Sequence, residues 1–167
     1  ARPALEWHFI GPIQSNKTRG IAEHFNWVHT IDRLKIAERL SAQRPTHLPP
    51  LQVCVQVNVS GEASKSGCAP EQALELCKAI EQLPHLQLRG LMAIPEPTTD
   101  VSKQHQQFAM LRELQTQLNQ HGFSLDTLSM GMSDDLEAAI GEGATLVRVG
   151  SAIFGNRTYP ESHGVTL

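Results

Sequence analysis

Short apolar runs alternate with amphipathic helical segments along this chain, and this alternation limits the possible folds more than any other feature. Runs with strand character recur at spacings of roughly 20–35 residues, and apolar residues at helical spacing lie between them. The predicted strands span residues 6–10, 27–31, 51–59, 86–94, 127–132 and 146–149, and the predicted helices span 17–25, 33–43, 71–82, 101–121 and 134–141. Strand, helix and strand in repeated succession predict an α/β protein with a parallel sheet and right-handed crossovers.

Six strand–helix units are fewer than a closed β/α barrel requires. An eight-unit barrel typically takes about 250 residues and at least about 200, whereas this chain has 167. The chain is therefore either an open α/β sheet or six of the eight units of a parallel barrel. We expect one domain over residues 1–157 and a loose tail over 158–167, where no periodic pattern continues.

Composition argues against several classes of function. The net charge is −3, the aromatic content is 5%, and no Lys/Arg block is present, so nucleic acid is not expected as a partner. The apolar runs are too short for a membrane span, and the first residues lack the pattern of a signal peptide, so we expect a cytoplasmic protein. The histidines and cysteines match no metal-ligand spacing, and no metal site is expected.

One stretch, residues 128–155, has the pattern of a phosphate site. It reads LSMGMSDDLEAAIGEGATLVRVGSAIFG: a strand, a turn of small residues, a helix, a strand and a second small-residue turn. In a parallel sheet both turns lie at the C-terminal ends of the strands, where ligands bind. The Ser133 hydroxyl and the backbone N–H groups of Gly150 and Ser151 could hold a phosphate there, with Arg148 as a nearby positive charge.

Each of these residues also has a purely structural interpretation. Ser133 or Asp134 could cap the following helix, and Asp134 with Glu137 forms a capping-box pattern. Arg148 could point to the surface and pair with an acid, which is the commoner situation for a strand arginine. Both alternatives stay open on the residues alone.

Two lysines are weaker candidates for the same site. Lys17 and Lys65 follow predicted strands and could form an imine or hold an anion, although a solvated surface lysine is the more common case. His8 and His29 lie in strands, and we interpret them as satisfied core or rim residues, with His8 the better candidate for lining the pocket.

Five motifs resemble the pyridoxal phosphate homeostasis proteins, also called YggS- or PROSC-like proteins. In chain order they are HFIGPIQSNK at 8–17, VNVSGEASKSG at 57–67, RGLMAI at 89–94, SMGMSDD at 129–135 and VRVGSAIFG at 147–155. The resemblance runs from about residue 5 to residue 157.

The resemblance implies a parallel β/α barrel of the alanine racemase N-terminal type that binds pyridoxal 5′-phosphate. It implies that Ser133, Gly150 and Ser151 hold the phosphate, that Arg148 faces the pyridine nitrogen, and that Met132 lines the pocket. An arginine at the ring nitrogen disfavours its protonation and weakens the ring as an electron sink. Possible partners are enzymes that accept the cofactor, and a monomer is expected for a full-length protein.

The chain departs from the family at its start. Family members form a Schiff base through a lysine on the first barrel strand, whereas residues 6–10 correspond to the third strand, so that lysine is absent here. We therefore expect an incomplete barrel that lacks the N-terminal part.

Three functions remain in consideration. The leading hypothesis is a non-catalytic pyridoxal phosphate binding protein that serves cofactor homeostasis and amino-acid balance. One alternative is a racemase-like pyridoxal phosphate enzyme. Alanine racemases use a tyrosine as the second acid or base, and Tyr159 is the only tyrosine in this sequence. The other alternative is a barrel fragment that binds no cofactor.

Overall fold

The computed structural model describes residues 4–61 and 66–156. Its centre is one sheet of six parallel strands in sequence order: β1 His8–Phe9, β2 Trp27–Ile31, β3 Leu51–Gln56, β4 Leu86–Met92, β5 Thr127–Met132 and β6 Leu146–Arg148. The helices are α1 Thr18–His24, α2 Leu34–Gln43, α3 Ala73–Glu81, α4 Val101–Gln120, α5 Leu136–Gly141 and α6 Ser151–Phe154. The predicted α/β class with a parallel sheet is confirmed.

The sheet is strongly curled. His29 on β2 and Ser129 on β5 are separated by three strand intervals, which would place their backbones about 14 Å apart in a flat sheet. Their side chains are nevertheless hydrogen-bonded, with 2.7 Å between Nδ1 of His29 and Oγ of Ser129. The six strands therefore form part of a barrel wall, as expected for an incomplete β/α barrel, and β1 and β6 are its two edges among the described residues.

The two faces of this wall are packed differently. The outer face carries the main hydrophobic core, in which fully buried side chains such as Val53, Leu91 and Met130 pack with those of the helices, among them Ile36 and Phe108. The inner face carries a smaller apolar cluster of Trp27, Cys54 and Met92, with Leu146 packed against it, beside polar side chains. The apolar helix stripes in the sequence predicted the first core, and the curl creates the second.

Several element bounds differ from the sequence-based prediction. Strand β3 ends at Gln56 rather than at residue 59, because Asn58 donates its backbone N–H to the carbonyl of Cys68 instead of to a neighbouring strand. Strand β1 pairs at only two positions, although residues 6–10 were expected to be extended. Helix α5 begins at Leu136 rather than at residue 134.

Some predictions concern residues outside the described ranges. Lys65, Tyr159 and the tail over residues 158–167 belong to this group. A single domain over 1–157 stays a prediction.

A substitution at Gly90 tests how closely the backbones of β4 and β5 approach each other. Gly90 pairs with Thr127, and a Cβ added to it would overlap the Thr127 carbonyl oxygen. We expect Gly90→Ala to lower the free energy of unfolding by about 3 kcal/mol or more, because backbone must move to admit the methyl group. Urea unfolding followed by circular dichroism measures the loss.

Gly20 is the matched control for this substitution. It lies within α1, and a Cβ there would meet nothing within 4 Å. Gly20→Ala should leave the stability unchanged or raise it by about 0.5–1 kcal/mol. Equal stabilities for the two variants would contradict the packing described here.

Candidate functional site

A cleft of about 1200 Å³ lies at the C-terminal ends of β5 and β6. The residues that line it belong to β5 and β6 or follow them, or lie on or next to β1 and β2. All five predicted site residues are among them: Met132, Ser133, Arg148, Gly150 and Ser151. The structure therefore brings these residues together, and their role toward a cofactor stays a prediction.

A bulge in β5 places the strand end beside the second turn. Ser129 pairs with Leu146 and Met132 pairs with Arg148, so β5 advances three residues while β6 advances two. Gly131 accommodates the extra residue at a φ of 104°, and a Cβ on it would lie 2.6 Å from the Cβ of Ala139. Glycine is therefore needed here for both backbone conformation and space.

The structural alternative, in which Ser133 or Asp134 caps the following helix, is wrong. The residue before α5 is Asp135, and its side chain makes no capping hydrogen bond. The Asp135 carboxylate instead accepts a hydrogen bond from the backbone N–H of Met132 at 2.7 Å. Its partner is therefore the bulged strand and not the first turn of α5. Asp134 is exposed at the rim of the cleft.

Ser133 bridges the two turns of the cleft. Its Oγ accepts a hydrogen bond from the backbone N–H of Ala152 at 3.1 Å. The hydroxyl proton stays available for an acceptor in the cleft, because only a lone pair is used by Ala152. The backbone N–H groups of Gly150 and Ser151 donate to no acceptor within the described part of the chain, so three donors are grouped here.

Arg148 points to the inside of the curled sheet rather than to the surface. One of its Nη atoms donates to the carbonyl of Ala93 at 2.8 Å, and its Nε is buried without a hydrogen-bond partner. It forms no ion pair with any residue of the described ranges, and burial lowers the pKa of its guanidinium although Asp135 opposes this shift. The surface interpretation is therefore wrong, and a positive charge with an unused donor lies in the wall of the cleft.

Two histidines belong to the inner wall of the cleft, together with Arg148. His8 and His29 both line the cleft, with 2.9 Å between Nδ1 of His8 and Nε2 of His29. Burial, helped by His8 and by Arg148, lowers the pKa of His29 to about 4, so its imidazole is neutral at neutral pH. The sequence predicted His8 as a lining residue, whereas the contribution of His29 and its partner Ser129 was missed.

Lys17 is not among the residues that line the cleft in the described structure. Lys17 is exposed and lines a separate apolar groove of about 560 Å³ between β1 and α1, together with Phe9 and Ile21. This favours the interpretation of Lys17 as a solvated surface residue. Lys65 lies outside the described ranges.

Membrane-spanning helices and metal-ligand clusters are both absent from residues 4–61 and 66–156. No helix in these ranges has the length and apolar character to cross a membrane. No group of three or more His, Cys, Asp or Glu side chains there is arranged to hold a metal ion.

Comparison with known proteins identifies the family. The model of the "Alanine racemase, N-terminal domain" family matches residues 1–158. The pyridoxal phosphate homeostasis protein of Haemophilus influenzae is 58% identical over 160 residues, which cover 95% of this chain and 68% of that protein. This chain belongs to the pyridoxal phosphate homeostasis protein family. The resemblance inferred from the five motifs is confirmed.

Other relatives support this family assignment. The pyridoxal phosphate homeostasis protein of Pseudomonas aeruginosa is 72% identical over 155 residues, which cover 93% of this chain and 66% of that protein. PipY of Synechococcus elongatus, solved with pyridoxal phosphate bound, superposes with a TM-score of 0.82 at 35% identity, over 92% of this chain and 72% of PipY. The chain thus spans about two thirds of the length of the curated relatives that it matches.

His29 makes the stability of the fold depend on pH. Because its pKa falls from 6.5 to about 4 on folding, the unfolded chain takes up a proton between these values and the native chain does not. The stabilising contribution is complete above pH 6.5 and is lost as the pH falls toward 4, on the order of 3 kcal/mol in total. We expect His29→Gln to show a flatter decline of unfolding free energy between pH 7 and pH 5 than the unmodified chain.

The exposed His121, which follows α4, provides the control. His121→Gln should retain the wild-type decline in urea unfolding experiments over the same pH range. A His29→Gln variant with the same pH dependence as His121→Gln would refute the assignment of acid sensitivity to His29.

Proposed function

We propose that this chain binds pyridoxal 5′-phosphate in the cleft at the ends of β5 and β6 and acts as a non-catalytic protein of cofactor homeostasis. The observation that carries the proposal is the grouping in one cleft of the Ser133 hydroxyl, the Arg148 guanidinium and two turn N–H groups that have no acceptor among the described residues. Two further observations support it: the relatives are pyridoxal phosphate homeostasis proteins, and PipY was solved with pyridoxal phosphate bound.

The phosphate end of the ligand would be held by Ser133, Gly150 and Ser151. Hydrogen bonds from a hydroxyl and from backbone N–H groups to an anionic oxygen are charge-assisted, which makes them stronger than neutral ones. A Cβ on Gly150 would meet nothing within 4 Å, so glycine leaves the space above the turn open. The residues present therefore fit a phosphate group.

The ring end would lie toward Arg148 and Met132. The buried guanidinium with its unpaired Nε favours an acceptor atom beside it, and a neutral pyridine nitrogen or an anionic oxygen supplies one. Met132 is half-exposed at the cleft and offers an apolar contact.

Arg148 also supports a non-catalytic role. Pyridoxal phosphate supplies a reactive aldehyde and a ring that withdraws electrons best when its nitrogen is protonated. A permanent positive charge in the cleft wall opposes this protonation. No lysine lines the cleft among the described residues, so we propose non-covalent binding by this chain.

The rest of the proposal concerns the protein in the cell. We infer that residues 1–157 act as one domain, that the full-length protein works as a monomer in the cytoplasm, and that it passes the cofactor to accepting enzymes. The net charge of −3 and the absence of a basic block in the sequence favour a small-molecule ligand over nucleic acid, and the size of the cleft fits such a ligand.

A racemase-like activity is the second candidate, because the family model describes the N-terminal domain of alanine racemase. Two-base racemisation needs an acid or base on each face of the substrate. His8 is the residue of the cleft that could supply one. Sustained interconversion of alanine enantiomers by the cofactor-loaded chain would overturn the non-catalytic proposal.

Ser133→Ala tests the phosphate site. Loss of one hydrogen bond to an anionic group should weaken pyridoxal phosphate binding by about tenfold or more. Equilibrium dialysis and quenching of tryptophan fluorescence measure the dissociation constant.

Pyridoxal, which lacks the phosphate, is the matched ligand for this experiment. Its affinity should change less than twofold between the unmodified chain and Ser133→Ala. Equal losses for the two ligands would place Ser133 elsewhere than at the phosphate, and no binding of either ligand by the unmodified chain would refute the proposed function.

Asp134 at the rim provides an electrostatic test. Its exposed carboxylate lines the cleft and repels an anion, so Asp134→Asn should tighten pyridoxal phosphate binding by about twofold to threefold at low ionic strength. Glu137→Gln makes the same charge change on the exposed side of α5, away from the cleft lining, and should have no effect. Equal tightening by both variants would indicate a general charge effect instead of a site at Asp134.

A further inference from the structure

A string of polar side chains crosses the inner face of the sheet from β5 to β1. Oγ of Ser129 lies 2.7 Å from Nδ1 of His29, and Nε2 of His29 lies 2.9 Å from Nδ1 of His8. Ser129 is completely buried and His29 nearly so, whereas His8 is only partly buried and lines the cleft. The string therefore connects the interior of the protein with the ligand cleft.

The buried end of the string fixes the direction of its hydrogen bonds. Within the described part of the chain, the Ser129 hydroxyl has one hydrogen-bond partner, Nδ1 of His29. A buried hydroxyl that donates no hydrogen bond leaves its desolvation penalty uncompensated. We therefore infer that Ser129 donates and that Nδ1 of His29 accepts. A neutral imidazole that accepts at one nitrogen carries its proton on the other, so Nε2 of His29 is the donor to His8.

The same logic places the proton of His8. Its Nδ1 accepts from His29, and its neutral ring therefore carries the proton on Nε2. Nε2 has no hydrogen-bond partner among the described residues, and it is not one of their buried unpaired atoms, so it is open to solvent or ligand. The string thus ends in one N–H donor on a cleft-lining residue.

Ring stacking fixes the position of this donor. The imidazole of His8 stacks on the indole of Trp27 with 5.2 Å between centroids and 11° between planes. Trp27 also contacts the Arg89 guanidinium, 4.8 Å from its centroid, and Asp126 holds that guanidinium through two hydrogen bonds. His8 is therefore held by a packed stack as well as by His29.

We propose that Ser129 and His29 are positioning residues that set His8 in the Nε2–H form, and that His8 donates this hydrogen bond to an acceptor atom of the ligand in the cleft. The ligand part of this inference rests on the proposed binding of pyridoxal phosphate. The site then selects a ligand with an acceptor oxygen or nitrogen at the position facing Nε2 of His8.

The charges around the string favour its neutral form. His8 and Arg148 both oppose a proton on His29, and burial opposes it most strongly. At His8, burial lowers the pKa and Glu6 acts in the opposite direction. A positive charge on either ring would disrupt the donor order, because a doubly protonated imidazole has no acceptor.

The tautomers can be measured without any ligand. Nitrogen-15 NMR of the histidine side chains at pH 7.5 should show His8 and His29 in the Nε2–H form in the unmodified chain. Ser129→Ala removes the donor at the buried end and should give a mixture of tautomers at both rings. Ser129→Thr keeps the hydroxyl and should restore the single form.

Ligand binding tests the role of the His8 donor. His8→Phe keeps a ring against Trp27 but has no N–H, and it should weaken pyridoxal phosphate binding about tenfold. His8→Gln keeps an N–H donor and should recover most of that loss. Ser129→Ala, which is too far inside to contact the ligand, should weaken binding about threefold in parallel with its tautomer mixture.

The outcomes separate this inference from the proposed function. The inference is overturned if the His8 ring in the unmodified chain carries its proton on Nδ1. It is also overturned if His8→Phe binds pyridoxal phosphate as tightly as the unmodified chain, although the proposed function would then stand. If the unmodified chain does not bind pyridoxal phosphate, the proposed function fails, and the donor role toward that ligand fails with it whatever the tautomers.

Discussion

The bulge at Gly131 is the constraint on which the cleft depends. Without the extra residue in β5, Met132 would not pair with Arg148, and Ser133 would not reach the turn after β6. The positive φ of Gly131 and its 2.6 Å approach to Ala139 leave no room for a side chain. A backbone irregularity thus converts two strand ends into one ligand-sized site, which is a common use of β-bulges.

The curl of the sheet is the second requirement, because it brings together groups from strands that are not neighbours. Arg148 on β6 reaches the carbonyl of Ala93 beyond the end of β4, and Ser129 on β5 reaches His29 on β2. In a flat sheet these groups would lie about 10–14 Å apart. The inner face is therefore a polar wall around a small apolar cluster, whereas the outer face is an ordinary hydrophobic core.

Most polar side chains on the inner face of the curled sheet have a hydrogen-bond partner among the described residues. Ser129, His29 and His8 satisfy one another, and Arg89 is paired with Asp126 at the opposite end of the strands. Arg148 is the exception, with a buried Nε that has no partner among the described residues. An unsatisfied cation of this kind is costly in an empty protein and useful in one that binds an acceptor.

The architecture could be predicted from the sequence to a large extent, because strand and helix periodicity are local properties. All six strands and the placement of Ser133, Gly150 and Ser151 at strand ends follow from apolar runs that close on small residues. The direction of Arg148 stayed open in the sequence, because strand alternation places Val147 and Arg148 on opposite faces without saying which of them points inward.

The remaining features depend on distances that the sequence does not encode locally. The partner of His29 is a serine 100 positions away, and the contact exists only in a curled sheet. The alternative in which Ser133 or Asp134 caps the helix is wrong, since Asp135 precedes the helix and its carboxylate binds the backbone of the bulge. Such choices among adjacent polar residues are decided by tertiary geometry.

The central claim is that a phosphate-bearing cofactor binds between Ser133 and the turn at Gly150. The most direct test is to follow the backbone amide resonances of the nitrogen-15-labelled chain during titration with pyridoxal 5′-phosphate. We expect saturable shifts that are largest at Ser133, Gly150, Ser151 and Ala152, with smaller shifts near Arg148. Saturable shifts confined to the groove between β1 and α1, or no shifts at millimolar ligand, would contradict the account.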